Sequence, residues 1–328
     1  MTVQITIIGL GQMGGSIGLT LAQHAETIRR VGHDRDPEAA RTAVKVGAVD
    51  ALHANLPASV KDADAVILSL PLNEARATLA SIRADLKEGA VVLDISPAKR
   101  QGETWARELL PSGRYYFGLV PAINPLRLLE AGGGMNGARS DLFQDATCLV
   151  CPPPGAPESA VRLATDLVTM LGAIPILSDA AEADGLLATM VTLPKLLAVS
   201  LVDATMNKPG WREAQNLAGR SYAMPVASTF DRDEADALRE SALSNRDNLV
   251  RLLDGYLASL RGLRDKIANG DSAALDASIR AAQANAYGWL AERHLEKYHP
   301  AEDADAMPIR RVRRALFGSW FRREPQKK

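Results

Sequence analysis

The chain has 328 residues, a formal net charge of −1 and 47% hydrophobic residues. The near-neutral charge argues against a nucleic-acid-binding protein, and the length indicates about two domains, each with enough material for a core. The first predicted strand begins at Val3 without a basic leader, so we expect no secretory signal. No apolar run reaches the roughly 18 residues of a membrane span, and we therefore expect a cytoplasmic protein.

A glycine-rich turn follows the first predicted strand. Gly9, Gly11 and Gly14 stand between an apolar, β-branched run and a segment predicted to be helical, which is the context of a dinucleotide-binding loop. In such a loop the first glycine allows a tight turn, the second lets the backbone approach a pyrophosphate, and the third allows close packing of helix on strand. Together with the intervening Gln12 and Met13, these glycines predict a cofactor site at a helix N-terminus.

An acidic residue stands at the end of the second predicted strand. Asp34 is placed to accept a hydrogen bond from a ribose 2′-hydroxyl and to repel a 2′-phosphate, which predicts NAD as the cofactor. The neighbouring Arg35 has the charge to pair with such a phosphate, so NADP stays open as the alternative. Ser69 and Pro71 end the strand segment over 65–71. We expect them beside the nicotinamide, because this turn abuts the glycine loop.

Strands and helices alternate through the first half of the chain. Its strand segments are continuous apolar runs, which suit a parallel sheet covered on both faces, and the crossover rule favours a doubly wound α/β fold. After the first strand and the helix of the glycine loop, we predict strands ending at residue 34 and over 65–71, 90–94, 115–120, 146–151 and 173–177, with helices over 37–46, 73–86 and 157–171.

From about residue 180 the pattern is helical. Apolar residues recur at three- and four-residue steps, with a kink expected at Pro194. A helical domain that buries little of its own surface often buries it against a second copy, so we expect a homodimer. We therefore assign 1–178 to a dinucleotide-binding domain, 179–300 to a helical dimerisation and substrate domain, and 301–328 to a basic amphipathic tail.

The tail concentrates positive charge among apolar residues. Eight Lys and Arg residues stand between 309 and 328 with the single acid Glu324, a pattern typical of a helix that meets a membrane surface or an acidic partner. We favour a segment that docks on its own protein or stays loose.

The two cysteines, Cys148 and Cys151, form a C-x-x-C on a predicted strand with no second ligand pair, which predicts reduced thiols and no metal.

Three motifs in order carry a family resemblance. They are the opening Ile7-Ile-Gly-Leu-Gly-Gln-Met-Gly-Gly-Ser16, the loop Asp94-Ile-Ser-Pro-Ala-Lys99, and the segment from Asp184 to Leu193-Pro194. With the helical stretch 238–260, they resemble the prephenate/arogenate dehydrogenase family over roughly 3–298. The resemblance implies NAD(P)-linked oxidation of a small anionic substrate in tyrosine biosynthesis, by a dimeric enzyme.

The substrate half of this resemblance is incomplete. The family takes the substrate's hydroxyl proton with a histidine, and here that position holds Val120 in one alignment and Asn124 in another. Neither side chain accepts a proton at neutral pH. The family's histidines around its Leu-Pro motif are replaced by Ala183, Thr192 and Lys195, and Pro97 stands at the loop serine, with Ser96 one residue earlier.

Four polar residues remain as catalytic candidates. Lys195 follows Pro194 on an apolar helix, where a lysine is out of place unless it meets an anion or extends to water. Lys99 is expected on a loop at the carboxyl edge of the sheet, where ligands bind in this fold. Asn124 has the groups to hold a carbonyl or hydroxyl, but Asn-Pro is also a common turn opener, which we favour. Ser96 completes the set.

Two functional hypotheses follow from these residues. The first is an NAD(P)-dependent oxidoreductase whose substrate has changed, for example to an amine, an imine or another hydroxy acid. The second is a non-catalytic dinucleotide-binding sensor or scaffold, suggested by a complete cofactor motif beside missing catalytic histidines. We favour the enzyme, because a scaffold has no need of the polar candidates above.

Overall fold

The structure is a computed structural model, and it describes residues 2–130, 132–230 and 234–295. The predictions for the tail 301–328 and for the end of the last helix fall outside these residues.

One sheet organises the first half of the chain. Among the described residues it has eight strands in the order β3-β2-β1-β4-β5-β6-β7-β8, and all neighbours are parallel except β6 and β7. The strands are β1 Val3–Ile8, β2 Ile28–His33, β3 Ala51–Leu52, β4 Ala65–Leu68, β5 Val91–Asp94, β6 Tyr115–Pro121, β7 Thr147–Cys151 and β8 Ile174–Leu177. From β1 the chain first adds β2 and β3 on one side and then β4 and β5 on the other, so the strand order switches between β1 and β4. In such folds ligands bind at the carboxyl ends of the strands at this switch point.

Helices cover both faces of the sheet and form the second half of the described chain. They are α1 Gln12–Leu21, α2 Pro37–Lys45, α3 Leu56–Ser59, α4 Leu72–Ile82, α5 Lys99–Leu109, α6 Glu158–Met170, α7 Ala180–Leu187, α8 Leu193–Met206, α9 Trp211–Ala214, α10 Arg220–Val226, α11 Glu234–Ser244, α12 Arg246–Ala268 and α13 Ser272–Leu295. Separate apolar clusters form on the two faces of the sheet, one under α1 and α6 and one under α4 and α5. Continuous apolar strands such as Ala65–Leu68 supply side chains to both.

The doubly wound fold predicted from the sequence is confirmed, and each predicted strand and helix of the first half is present. The sequence prediction missed β3, α3 and α5. Lys99 is therefore not a loop residue as expected: it is the first residue of α5 and is fully buried.

The helical half begins with an irregular turn. A π-helical turn over Ala188–Thr192 joins α7 to α8, and Pro194 lies in the first turn of α8. Proline has no N–H and clashes with the preceding turn, so the regular hydrogen bonding of a continuous helix is interrupted there. The irregularity expected at Pro194 is thus present as a widened turn just before it.

The run Ala180–Met206 corrects one expectation from the sequence. It is long and apolar enough to cross a membrane by length and composition alone, and only about a fifth of its most apolar stretch is buried. Part of its surface nevertheless packs on the sheet domain, since α7 contacts α5 and β7. The remaining apolar surface of this run is exposed in the single chain.

Candidate active site

The glycine loop has the backbone geometry that its sequence predicts. Gly9 has φ +91°, and a Cβ there would lie 2.2 Å from the Ser69 carbonyl oxygen. A Cβ on Gly14 would lie 1.9 Å from the Gly9 carbonyl oxygen, so only glycine allows α1 to pack this closely on β1. At Gly11 an added Cβ would meet no atom within 4 Å. The backbone there faces open space, which fits the close approach of a pyrophosphate.

The start of α1 and the end of β2 form the rest of the cofactor site. Gly11 precedes α1 without a side-chain cap, so the first backbone N–H groups of the helix are available to an anion. Asp34 Oδ2 accepts a hydrogen bond of 2.6 Å from the Leu10 amide, and Oδ1 accepts one of 2.8 Å from the Asp36 amide. These bonds fix the carboxylate beside the loop, and each of its oxygens can still accept a further hydrogen bond. These features fit a dinucleotide whose ribose hydroxyls are recognised by Asp34.

The segment 132–140 packs against α1. The Gln12 side chain donates to the Gly137 carbonyl at 3.2 Å, the Ser16 hydroxyl accepts from the Arg139 amide, and the Thr20 hydroxyl donates to the Ser140 carbonyl. Gln12 therefore anchors this segment through its side chain, and its expected part in cofactor binding falls to its backbone N–H. Gly132 and Gly137 lie next to the Gln12 side chain, whereas a Cβ on Gly133 or Gly134 would meet no atom within 4 Å.

A cavity of about 560 Å³ opens at the carboxyl ends of the strands. Ser69 and Pro71, expected beside the nicotinamide, line it together with Met13 and Arg35 from the cofactor side. The helical half supplies the opposite wall from the π-helical turn, α8 and α11. The full lining is Met13, Arg35, Ser69, Leu70, Pro71, Ile95, Pro97, Leu119, Val120, Pro121, Ile123, Leu187, Val191, Thr192, Lys195, Ala237, Leu238 and Ser241.

A second, larger cavity lies elsewhere. It measures about 750 Å³ and is lined by Val3 and Ala65, at the amino ends of β1 and β4, and by residues of α6. Ligands of doubly wound folds bind at the opposite, carboxyl ends of the strands. We therefore take the cavity of about 560 Å³, which we call the cleft, as the candidate active site.

The cleft brings together four positions that depart from the family resemblance. Pro97, Val120, Thr192 and the half-buried Lys195 all line it, whereas Asn124 does not. Among the described lining residues, Lys195 and Arg35 are the only charged side chains. Since Arg35 adjoins Asp34 at the cofactor end, Lys195 is the cation on the helical side of the cleft, and a lysine ammonium is a donor that suits an anionic ligand.

Lys99 and Ser96 lie behind the cleft in a buried polar cluster. The Lys99 ammonium donates to the carbonyls of Asp94 at 2.8 Å and Ser96 at 2.5 Å, and burial lowers its pKa. The Asp94 carboxylate accepts from the Ser96 hydroxyl at 2.6 Å and from the Tyr116 hydroxyl at 2.5 Å. Burial, with Asp94 beside it, raises the pKa of Tyr116. The cluster fixes the loop that carries Ile95 and Pro97 into the cleft.

Asn124 caps a turn. Its side-chain oxygen accepts from the Leu126 amide, and its nitrogen donates to the Asp141 carbonyl at 3.0 Å. With 6% of its surface exposed, it has the turn-forming role that the sequence analysis favoured. The structure therefore brings only Lys195 of the four polar candidates to the cleft.

Asp184 joins the helical half to the sheet domain, and the sequence analysis gave it no role. Its carboxylate accepts from the backbone amides of Lys99 at 2.6 Å and Arg100 at 3.2 Å, which caps the N-terminus of α5. Its own carbonyl accepts from the Asn245 side chain at 2.6 Å. Burial raises the pKa of Asp184 in spite of the two amide bonds. No local sequence signal could reveal this cap, because its acceptor lies 85 residues from its donor.

Asp184→Ala is expected to lower the free energy of unfolding by about 3 kcal/mol, because it removes a cap and leaves the buried Lys99 amide unsatisfied. Asp184→Asn keeps one acceptor oxygen and should lose less. Urea denaturation measures both. Asp179→Ala is the matched control, since Asp179 caps α7 through two exposed amides, and it should cost only about 1 kcal/mol. Equal losses for Asp184→Ala and Asp179→Ala would contradict the role given to Asp184.

Comparisons with known proteins agree with a nucleotide-binding domain in the first half of the chain. Residues 17–177 match the family model of the prephenate dehydrogenase nucleotide-binding domain. The chain is 23% identical to prephenate dehydrogenase of Bacillus subtilis (strain 168), over 82% of this chain and 71% of the relative. It is 24% identical to cyclohexadienyl dehydrogenase of Zymomonas mobilis, over 83% of this chain and 91% of the relative.

A solved structure shows the same fold. The crystal structure of prephenate dehydrogenase from A. aeolicus, in complex with hydroxyphenyl propionate and NAD+, matches 87% of this chain and 97% of its own with a TM-score of 0.74 and 21% identity. The family model and the curated relatives point to an enzyme, and neither favours the non-catalytic sensor or scaffold. Over residues 17–177 the chain belongs to the prephenate dehydrogenase nucleotide-binding domain family, and as a whole it is a nicotinamide-dependent oxidoreductase that resembles the prephenate/arogenate dehydrogenases.

Proposed function

We propose that this protein oxidises a small anionic cyclohexadienol of the prephenate or arogenate type with NAD+ in the cleft. The observation that carries the proposal is that one cleft joins the turn beside the glycine loop, at Ser69 and Pro71, to a cation on the helical side, Lys195. The nucleotide-binding domain and the two curated relatives support the same reaction class.

Each wall of the cleft has its own task in this reaction. Gly11 and the N-terminus of α1 would hold the cofactor pyrophosphate, and Asp34 would accept hydrogen bonds from the ribose hydroxyls. The bound nicotinamide supplies the acceptor for the hydride. Lys195 binds the substrate carboxylate or the hydroxyl group, and the apolar side chains around it, such as Val120 and Val191, exclude water from the reacting carbon. The hydroxyl proton passes to solvent, hydride passes from the ring carbon to the nicotinamide, and the electron pair of the broken C–CO2⁻ bond makes the ring aromatic as CO2 leaves.

Val120 favours a second candidate substrate. It lies in the cleft at a position where the family resemblance implies a proton-accepting histidine, and its side chain has no proton-accepting atom. A substrate that needs no such base, for example an amine or an imine, would suit this wall better than another hydroxy acid, whose hydroxyl also has to lose a proton. The reaction class and the cofactor stay the same.

The deciding experiment measures NAD(P)H formation by the purified protein with prephenate, arogenate and a panel of amino and hydroxy acids, next to titrations of NAD+ and NADP+. Turnover of prephenate or arogenate supports the first substrate class. Binding of NAD+ with turnover only of another compound moves the assignment to that compound. Failure to bind either dinucleotide would overturn the proposal.

We further propose that the protein is a cytoplasmic homodimer and that a second copy covers the helical half. Support comes from the exposed apolar side chains of α12, where Leu257, Leu260 and Ile267 are 46%, 49% and 65% exposed, and from Met190, 68% exposed in the run Ala180–Met206. A dimer of this kind would bury the run that is long enough to span a membrane. The two free cysteines, Cys148 and Cys151, suit a reducing compartment.

Leu260→Glu is expected to weaken dimerisation at least tenfold, because a carboxylate would have to be desolvated at the interface. Sedimentation across a range of protein concentrations measures the change. Val46→Glu is the control, since Val46 is 48% exposed on the nucleotide-binding domain, and it should leave the assembly unchanged. A monomeric wild-type protein at all concentrations would refute the dimer.

A further inference from the structure

An ion pair stands at the cofactor end of the cleft, and the proposed reaction makes no use of it. Arg35 Nη1 lies 2.5 Å from Glu74 Oε1. Arg35 directly follows Asp34, and Glu74 belongs to the first turn of α4, three residues after Pro71. The Arg35 side chain is 70% exposed and that of Glu74 is 23% exposed. Glu74 is therefore the anchored partner, and Arg35 the one with room to move.

The structure of α4 explains why Glu74 stays in place. The N-terminal turn of a helix favours a negative side chain, since its backbone N–H groups and dipole end are positive. The Glu74 amide also donates to the Pro71 carbonyl at 3.0 Å, which fixes its position next to the cleft turn. The start of α4 therefore favours a carboxylate at this position, and Arg35 pairs with it there.

The Arg35–Glu74 ion pair affects whether the site binds NAD or NADP. A guanidinium next to the end of β2 is the group that accommodates a 2′-phosphate in dinucleotide-binding folds. Here that guanidinium is engaged by Glu74, while Asp34 and Glu74 together place two carboxylates near the same edge of the ribose site. An ion pair with a largely exposed partner is weak, so removing one charge is enough to redirect Arg35.

We propose that Glu74 sets the dinucleotide preference of this protein: it holds Arg35 away from the 2′-phosphate position and so disfavours NADP. This inference rests on the proposed function, because it requires a dinucleotide in the cleft. Arg35 then belongs to a 2′-phosphate site that the wild-type ion pair keeps out of use.

The test is a double-mutant cycle read by dinucleotide titration alone, without substrate. Glu74→Gln is expected to lower the Kd for NADP+ by up to about fivefold, the release expected from a weak ion pair, and to leave the Kd for NAD+ unchanged. Arg35→Met should abolish this gain, so the double variant binds NADP+ no better than Arg35→Met. Glu108→Gln is the matched control, since Glu108 pairs with Arg76 on the surface, and it should change neither Kd.

Two results would overturn the inference. One is an NADP+ affinity that Glu74→Gln does not change. The other is a gain that persists in full without Arg35, which would assign the effect to repulsion by Glu74 alone. Either result with normal NAD+ binding by the wild-type protein leaves the proposed function standing. If the wild-type protein binds neither dinucleotide, the proposed function and this inference fail together.

Discussion

Lys195→Met is expected to lower kcat/KM at least 100-fold and to lower the free energy of unfolding by no more than about 1 kcal/mol, because Lys195 is only half-buried. Lys195 is the cation on the helical side of a mainly apolar cleft, so a substrate carboxylate or hydroxyl there would lose a charged partner in a poorly hydrated site. Loss of a proton-transfer group has an effect of similar size, typically 10²–10⁴-fold. Steady-state kinetics and urea denaturation of the same preparation measure the two quantities.

Lys99→Met is the matched control for this prediction. Lys99 is the other lysine that the sequence suggested, but its ammonium serves two buried carbonyls behind the cleft. Its replacement should lower the free energy of unfolding by about 2 kcal/mol, because those carbonyls lose their donor, while the folded fraction should lose less than about tenfold in activity, since Lys99 affects the cleft only through the loop of Ile95 and Pro97. A Lys195→Met protein that is destabilised like Lys99→Met, or that keeps full activity, would show that Lys195 is a structural residue.

Lys195→Arg separates the two chemical roles open to Lys195. If the ammonium binds a carboxylate, arginine keeps the charge and restores much of the activity, and the Lys195→Met defect lies mainly in KM. If it transfers the hydroxyl proton, the defect lies mainly in kcat, arginine does not rescue it, and the pH profile of kcat changes. Both patterns place Lys195 on the substrate.

Lys195 and Lys99 show which parts of the candidate site can be predicted from the sequence and which cannot. The glycine loop and Asp34 were predictable because their geometry is local: a strand, a turn and a helix within 34 residues fix each partner. The position of Lys99 was not, because it depends on distant groups. Gly118 on β6 leaves the space in which the Lys99 side chain lies, and Asp184 caps its helix from the other half of the chain.

The helical half shows a second limit. Apolar spacing predicted its helices, since periodicity reports that one face of a helix is buried. Periodicity does not report which neighbour buries that face. Leu187 packs inside the described chain, whereas Leu186 and Met190 of the same predicted stripe are 43% and 68% exposed. The position of α11 at the cleft, with Ser241, likewise depends on how the helices fold back and has no local signal.

Two alanine substitutions in the glycine loop are expected to affect different properties: Gly14→Ala the stability of the fold, and Gly11→Ala the affinity for NAD+. In Gly14→Ala the new Cβ would lie 1.9 Å from the Gly9 carbonyl oxygen, so α1 must shift away from β1 at a cost of several kcal/mol of stability. In Gly11→Ala the methyl group meets no atom within 4 Å, so the fold should be unaffected. The same methyl group would occupy the space through which the pyrophosphate reaches the backbone, and NAD+ affinity should fall at least tenfold.

Thermal unfolding with and without NAD+ distinguishes the two variants. The Gly14→Ala protein should unfold at a lower temperature even without cofactor. The Gly11→Ala protein should match the wild type without cofactor but gain little stability when NAD+ is added, because stabilisation by a ligand follows its affinity for the folded state. If Gly11→Ala gains as much from NAD+ as the wild type does, the pyrophosphate does not lie over Gly11. The cofactor would then have to enter the cleft by another face, even though the loop has the expected fold.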